Sequence, residues 1–586
     1  MFRILRFLEG ADGRRLLPLA ALVMLPAFFL GFFGDDFFHL ILIDGKQVTA
    51  VPLDPYCFAP GSAAVMSANQ RSGPFPWFAG LEAKAKFFRP LSVALMRLDR
   101  ALFGQFFPGF QAHSLLWYLL LCLGALLVFR RVLPPAACSL ALVLFIVDDA
   151  HFFPAAWWSN RNAVVACATA VLGLAAHLRW RETGWRPGLP LSLLGYAAGL
   201  LGAEAAVGIL AYVAAYEAFG AEGGRIRRAL SLTPAAVLAL GYFLWYRAAG
   251  YGAAHSDMYV DPGATPLKYL AAAPLRFLQL AGGQFLSIPC EAETLIPGLA
   301  PALAAAGAGA LAFILLLVAV FWRRMDPRER RALRWMGPGT AMAAAPALSA
   351  IMTSRLLLAV SLGGAVILAV ILRHAGRAAL DADTRTKRRA AAAVAGLLFC
   401  LHLVFAPLSW PIQTAGLRAV GAHLNRGILR NPLENMDITR RQVIVPCVPD
   451  PYAGIYPPIV RAHAGLPRAR SWWPLSFAPY DHRLIRTGER TMELEVLGGE
   501  MLEGAFERLL SSSEDPLRPG DTRDLDGLVV TVLATGDRGP VHIRLDFAEA
   551  PESERYLFLM RKNGQFEPFT PPAVGESLLL PFSLRS

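Results

Sequence analysis

Residues 296–322, IPGLAPALAAAGAGALAFILLLVAVFW, hold no charged side chain and run directly into Arg323-Arg324 and a basic stretch ending at Arg334. An α-helix needs about 20 mainly apolar residues to cross the hydrocarbon core of a bilayer, where backbone groups find no water to bond. This stretch therefore predicts a transmembrane helix with a cationic end. Working outward from it, comparable runs lie near 15–33, 111–129, 133–150, 161–178, 188–203, 205–221, 229–247, 335–353, 355–373 and 390–409, about eleven spans in all. The run 188–221 is too long for one crossing. Gly202 and Glu204 near its middle predict a tight hairpin with Glu204 at a membrane surface.

The composition agrees. Hydrophobic residues make up 55% of the 586 and charged ones only 17%, against about 25% charged in ordinary soluble domains. The net charge of +12 would suggest nucleic acid, but the basic residues sit at the ends of apolar runs and form no stripe interleaved with aromatics. No nucleic-acid partner is expected. Seven cysteines (57, 122, 138, 167, 290, 400 and 447) show no metal spacing and no CxxC. Four of them, Cys122, Cys138, Cys167 and Cys400, fall in apolar runs as small packing residues, and Cys57, Cys290 and Cys447 fall in exposed regions.

Orientation follows from the Lys and Arg clusters. With the N-terminus in the cytoplasm, the inside receives Arg3, Arg6, Arg14 and Arg15; Arg130 and Arg131; Arg179, Arg181 and Arg186; Arg225, Arg227 and Arg228. It also receives the run Arg323–Arg334 and the stretch Arg373–Arg389. The short opposite loops, around 151–160, 203–204 and 354, carry almost none. Two long loops, 34–110 and 248–295, and the C-terminal region then lie outside a cytoplasmic (inner) membrane. Arg14-Arg15 before an apolar run resembles a signal peptide, but without a clear small-residue cleavage site an uncleaved first helix is expected. The loops carry aromatic and amphipathic pieces, Phe87-Phe88 and 274–280, which suit a membrane surface.

On the outer face the first span ends in Gly34-Asp35-Asp36-Phe37-Phe38-His39. Arg89-Pro90-Leu91, Asp99-Arg100 and Leu102-Phe103-Gly104 follow, with His113 opening the second span. Asp148-Asp149-Ala150-His151 closes the third, Trp157-Trp158-Ser159-Asn160-Arg161-Asn162 enters the fourth, Glu204 follows, and Thr353-Ser354-Arg355 enters a late span. Carboxylates at a membrane exit are costly unless they face water or a cavity, so their gathering on one face points to a site. Each has a plain structural alternative. The acids stop helices, Arg355 snorkels to the interface, Arg161 pairs with Asp148 or Asp149, Glu204 caps a hairpin, and His39, His113 and His151 are interfacial hydrogen-bonders.

These motifs, in this order and on this face, resemble the GT-C membrane glycosyltransferases, especially the protein O-mannosyltransferase-like branch, over about residues 1–375. The chain departs from that branch at Leu116 and Leu120 in the second span, at Ala203 before the Glu, and at Leu356 after the late Arg. The resemblance implies a polyprenyl-phosphate-dependent enzyme moving a hexose or pentose to an acceptor hydroxyl on a protein, glycan or lipid of the cell envelope. Asp35 or Asp36 would be the base, since a hydroxyl needs a positioned carboxylate to take its proton. Arg355 and Arg161 would hold the donor phosphate, where Arg offers bidentate contact. Arg89, His113, Asp148, Asp149, His151 and Glu204 would support them. No cofactor is expected, although a divalent metal serves some GT-C branches. The alternatives are a transporter or flippase of a lipid-linked glycan, and a membrane anchor whose outer domain does the work. Transporters place ionisable groups near the midplane, often within internal repeats, and neither is evident.

A linker over 411–430 leads to a soluble domain, 431–586, expected to be mixed α/β at its start and β-rich at its end. Strands are predicted at 440–446, 491–496, 527–534, 540–547, 555–560 and 577–582, with Thr535–Gly539 as a hairpin turn. It carries no nucleophile elbow, phosphate loop or metal motif. Its position suggests acceptor recognition or partner binding.

Overall fold

The computed structural model describes residues 1–582 apart from 74, 297, 430–432, 434, 435 and 449. The chain divides into two compact units, Met1–Gly31 with Phe88–Ala249 and Thr265–Leu417, and Phe32–Phe87 with Gly250–Ala264 and Arg418–Ser586.

The first unit is helical. Among the described residues, six helices are long and apolar enough to cross a membrane: Phe107–Val132, Trp158–Thr183, Arg225–Ala248, Ala300–Arg324, Ser361–Asp381 and Arg385–Leu429. A seventh forms if Pro135–Val147 and Asp149–Ala156, bent by 47° at Asp148, count as one span. The remaining expected spans are shorter or broken, for local reasons. Over 15–33, Pro18 and Pro26 lack the N–H that continues a helix, and the chain forms Gly13–Leu16, Pro18–Met24 and a 3-10 turn Leu25–Phe29. The span expected at 335–353 begins earlier, as Pro327–Ala343. The Asp326 carboxylate accepts from the Glu329 N–H and the Glu329 carboxylate from the Asp326 N–H, a capping box that fixes the start. Within 188–221 the helix stops at Gly202 and restarts at Ala206, with Glu204 in the turn. Residues 411–429, expected as a linker, continue the helix Ala406–Leu429.

The helix Pro135–Val147 is buried on all sides from Ala137 onward, and Ser361–Asp381 is nearly so. By contrast, Arg225–Ala248 leaves Ile226, Leu230, Val237, Leu240 and Leu244 more than half exposed. A stripe of that size suits lipid and not water. Small residues let the central helices close up. A Cβ on Gly195 would lie 2.7 Å from the Thr169 carbonyl oxygen and 2.8 Å from Gly173 Cα, so Trp158–Thr183 and Gly188–Gly202 pack backbone to backbone.

Among its described residues, the second unit forms three sheets. Antiparallel strands in the order Ser577–Leu580, Asp481–Arg486, Thr491–Leu497, Pro540–Phe547, Leu528–Thr535 and Thr522–Asp524 make the largest. A four-stranded sheet orders Gln565–Pro568, Tyr556–Lys562, Gln442–Val445 and Ser471–Pro474, with Gln442–Val445 parallel to both neighbours. A third pairs Cys57–Pro60 with Lys84–Lys86 and the latter with Gly252–Ala254. Period-two burial of Met492, Leu494 and Val496 turns one face of the large sheet to the core. Residues of the first long loop complete that core. Trp77 and Phe78 join its buried cluster, and the Trp77 indole N–H donates to the Leu475 carbonyl at 2.8 Å. Gly73, at φ +98°, lies so close to the Trp472 backbone that no side chain would fit.

Candidate functional site

The helix Asp35–Ile43 carries both acids of the pair in its first turn, where the N-terminal dipole favours negative charge. Its N-cap is Gly34 at φ +58°. The two carboxylates differ. Asp36 is 1% exposed, and its Oδ2 reaches back past Gly34 to accept from the Phe33 N–H at 3.1 Å. Asp35 is half-buried, and its Oδ1 accepts a short hydrogen bond from the Tyr456 hydroxyl. The Tyr456 ring stacks on Tyr452 at 4.5 Å and 14°, and the Tyr452 hydroxyl donates to Asn425 Oδ1 at 2.8 Å. Burial, and after it the Asp35 carboxylate, push the Tyr456 phenol well above its ordinary range. His39, one turn on, is buried with its ring 4.7 Å from Tyr56.

Within the helical unit, the expected residues fall into three groups. In the first, Arg161 pairs with Asp99, which is fully buried. His113 Nδ1 contacts the other Asp99 oxygen, and the Trp158 indole N–H donates to Asp99 Oδ2 at 2.8 Å. Arg161 is thus held by Asp99 and not by Asp148 or Asp149, because Asp99 sits on the buried Ser92-Met96-Asp99 stripe of Pro90–Phe103. In the second group, Arg89 Nε donates to Glu204 Oε2 at 2.9 Å and the Tyr246 hydroxyl to Glu204 Oε1 at 3.0 Å. Glu204 thereby fastens the 203–205 turn.

The third group joins the turn Asp149–His151 to the turn Ser354–Leu358. Asp148 caps the first turn, accepting from the Ala150 N–H at 3.0 Å, and Asp149 is an electrostatic neighbour of Glu291. Glu291 Oε2 accepts from the Ser354 N–H at 3.0 Å and its hydroxyl at 2.7 Å, which fixes the turn bearing Arg355. The Arg355 guanidinium lies 5.8 Å over the Trp157 ring, and its Nε donates to Thr353 Oγ1 at 3.3 Å. Among the described residues, Arg355 makes no ion pair. His151 is buried, with Nε2 2.6 Å from Ser361 Oγ and Nδ1 3.1 Å from the Tyr118 hydroxyl, and so braces the bundle interior.

Sequence reading left Asp99, Glu291, Ser354 and Tyr456 without roles. Only Asp99 carries a signal, an acid on the apolar stripe of an amphipathic helix; the rest are tertiary encounters. The expectation that every notable acid gathers on one face also needs correction. At the opposite helix ends, buried Glu217 bonds His177 Nε2 at 2.8 Å and Arg181 Nε at 2.6 Å. Buried Glu329 there pairs with Arg373 and bonds His374 Nε2 at 2.8 Å. These acids lie among Arg clusters and so were masked by them. All seven cysteines are free thiols. Among the described residues no three His, Cys, Asp or Glu side chains are grouped to hold a metal ion.

No protein-family model and no curated protein matches the sequence. Among solved structures, the chain is similar to the Archaeoglobus fulgidus oligosaccharyltransferase crystallised with a tethered acceptor peptide. The identity is 14% and the TM-score 0.40, over 78% of this chain and 64% of that one. It is also similar to ArnT from Cupriavidus metallidurans bound to undecaprenyl phosphate, at 13% identity and TM-score 0.40, over 77% of this chain and 84% of that one. The chain thus spans under two thirds of the oligosaccharyltransferase.

Proposed function

We propose that this protein is a membrane glycosyltransferase that moves a sugar from a polyprenyl-phosphate donor to an acceptor hydroxyl at the outer face of the cytoplasmic membrane. The observation that carries the reading is Arg355. A half-buried guanidinium at the end of an apolar bundle, fixed by its neighbouring turn yet without a carboxylate partner among the described residues, suits a phosphate. The motif resemblance of the sequence points the same way. In the reaction the acceptor oxygen bonds the anomeric carbon, whose bond to the phosphate oxygen breaks with the electron pair leaving on phosphate. The acceptor's proton goes to a carboxylate.

Asp35 is that base, because it is half-buried where Asp36 is almost fully buried. Arg355 stabilises the charge on the leaving phosphate. Arg161 serves as an internal ion pair to Asp99 instead. The sugar is a hexose or pentose; no metal takes part; the N-terminus is cytoplasmic and the C-terminal domain extracytoplasmic.

The test is transfer from radiolabelled polyprenyl-phosphate sugars in proteoliposomes, comparing wild type with Asp35→Asn, Asp36→Asn and Arg355→Ala. Asp35→Asn is expected to lose at least about a hundredfold in rate, and Arg355→Ala a comparable factor. Full transfer by a folded Asp35→Asn protein would remove Asp35 from the chemistry. Movement of the donor across the bilayer without transfer would make the protein a flippase.

A further inference from the structure

The second unit brings a segment of the C-terminal region onto the helix that carries Asp35. The helix Pro457–His463 packs on Asp35–Ile43 through Phe37, Ile41, Ile459 and Val460, which form one buried cluster. Lys46 Nζ donates to the Ala462 carbonyl at 3.0 Å, tying the far ends together. The residue before Pro457 is Tyr456, and its hydroxyl reaches Asp35 Oδ1.

Tyr456 is itself held from several sides. Its ring stacks on Tyr452, the Tyr452 hydroxyl is anchored on Asn425, and the Asp450 carboxylate accepts from the Tyr452 N–H at 2.9 Å to start the short helix Pro451–Ile455. A phenol is a donor toward a carboxylate, and a hydrogen bond to the charged form favours that form. That is the protonation state a general base needs before the acceptor arrives. The arrangement therefore does two things to one carboxylate: it fixes a rotamer and offers the charged form a donor.

We infer that Tyr456 is the positioning residue for Asp35, and that segment 450–463 belongs to the proposed transfer site through this contact. The inference rests on the reading of Asp35 as the base. It gives part of the C-terminal region a role distinct from acceptor recognition, since Tyr456 acts through Asp35 and touches no substrate in this account. Besides Asp35 and Tyr456, the ionisable groups on the packed segments are Asp36, His39, Asp44 and Lys46 on one side and Asp450, Tyr452, Arg461 and His463 on the other. A variant that alters only the Tyr456 hydroxyl leaves all of these in place.

The experiment uses the full chain in lipid nanodiscs. Carbodiimide-driven amine labelling of Asp35, which follows the protonated carboxyl, is read across pH by peptide mass spectrometry for wild type, Tyr456→Phe and Tyr452→Phe. Donor-sugar transfer is measured in parallel. In Tyr456→Phe the labelling midpoint of Asp35 is expected to rise by about one pH unit. The acid limb of kcat should rise with it while KM for the donor stays put. Tyr452→Phe, which loses the Asn425 and Gly34 contacts but leaves the Tyr456 hydroxyl on Asp35, should leave both unchanged. An unmoved midpoint in Tyr456→Phe overturns the inference whatever the transfer data say. A moved midpoint in a protein that transfers no sugar supports the contact and overturns the functional reading instead.

Discussion

Arg161 and Asp99 show how one buried carboxylate redistributes the roles of its neighbours. The sequence offers Arg161 as a phosphate ligand, but its guanidinium is spent on Asp99, which also takes the His113 ring and the Trp158 indole. Removing one partner of such a pair strands a buried charge, at a cost of about 3–5 kcal/mol, while removing both costs less than the sum. We predict that Asp99→Ala and Arg161→Leu each lower the unfolding temperature in detergent sharply, and that the double variant recovers part of the loss. Strictly additive effects would return Arg161 to the list of ligands. His482 in the large sheet supplies a pH-dependent counterpart. It is buried, with Nδ1–H donated to the Tyr480 carbonyl and Nε2 2.9 Å from Ser476 Oγ, and burial lowers its pKa to about 4. The folded value lies below the unfolded one of about 6.5. Its contribution is therefore complete above pH 6.5 and is lost as pH falls toward 4, up to about 3 kcal/mol. Denaturant unfolding of the second unit at pH 7 and pH 4.5 should show the loss, and His482→Gln should reduce it.

Elements were more legible than their ends. Strands expected at 491–496, 527–534, 540–547 and 555–560 appear as Thr491–Leu497, Leu528–Thr535, Pro540–Phe547 and Tyr556–Lys562; burial alternates along the first and third, the turn-rich 535–539 joins the middle two, and the last is an apolar run buried on both faces over Tyr556–Leu559. Ser471–Pro474 carried no such signal; its pairing with Gln442–Val445 comes from across the fold. Among the helices, hydropathy located the apolar runs but not their breaks, which depend on prolines and on the Asp326–Glu329 capping box. Close packing was also invisible, since a small residue in an apolar run says nothing of what lies opposite it. Gly195 is such a case. A side chain there meets backbone and not a flexible neighbour, so Gly195→Val should cost about 1–3 kcal/mol through overpacking. The measurement is detergent unfolding beside Gly241→Val, where a Cβ meets nothing within 4 Å. Equal effects at the two sites would show that the close crossing carries no weight.

For the whole molecule, the Arg clusters remain the basis of orientation, although acids occur at both ends of the bundle. Arg–carboxylate pairs occur at both ends, Arg89–Glu204 and Arg161–Asp99 at the one that holds Arg355, so the ends differ in how much Arg is left over. At the helix ends opposite Glu204 and Arg355, Asp12, Glu182, Glu217 and Glu329 each meet an Arg, and many Arg are left over. At the other end a carboxylate, Glu291, orients a turn by hydrogen bonds, and Arg355 makes no ion pair among the described residues. Pairing an acid with Arg removes its cost at the surface without creating a site, so surplus cation and not acid count should set the topology. The expected outcome is directional. In a Cys400→Ser background, which removes the exposed native thiol, Ser513→Cys should react with a membrane-impermeant maleimide in intact spheroplasts. Gly184→Cys should react only after lysis. Labelling in the reverse order would invert the chain, against the orientation that the Arg clusters predict.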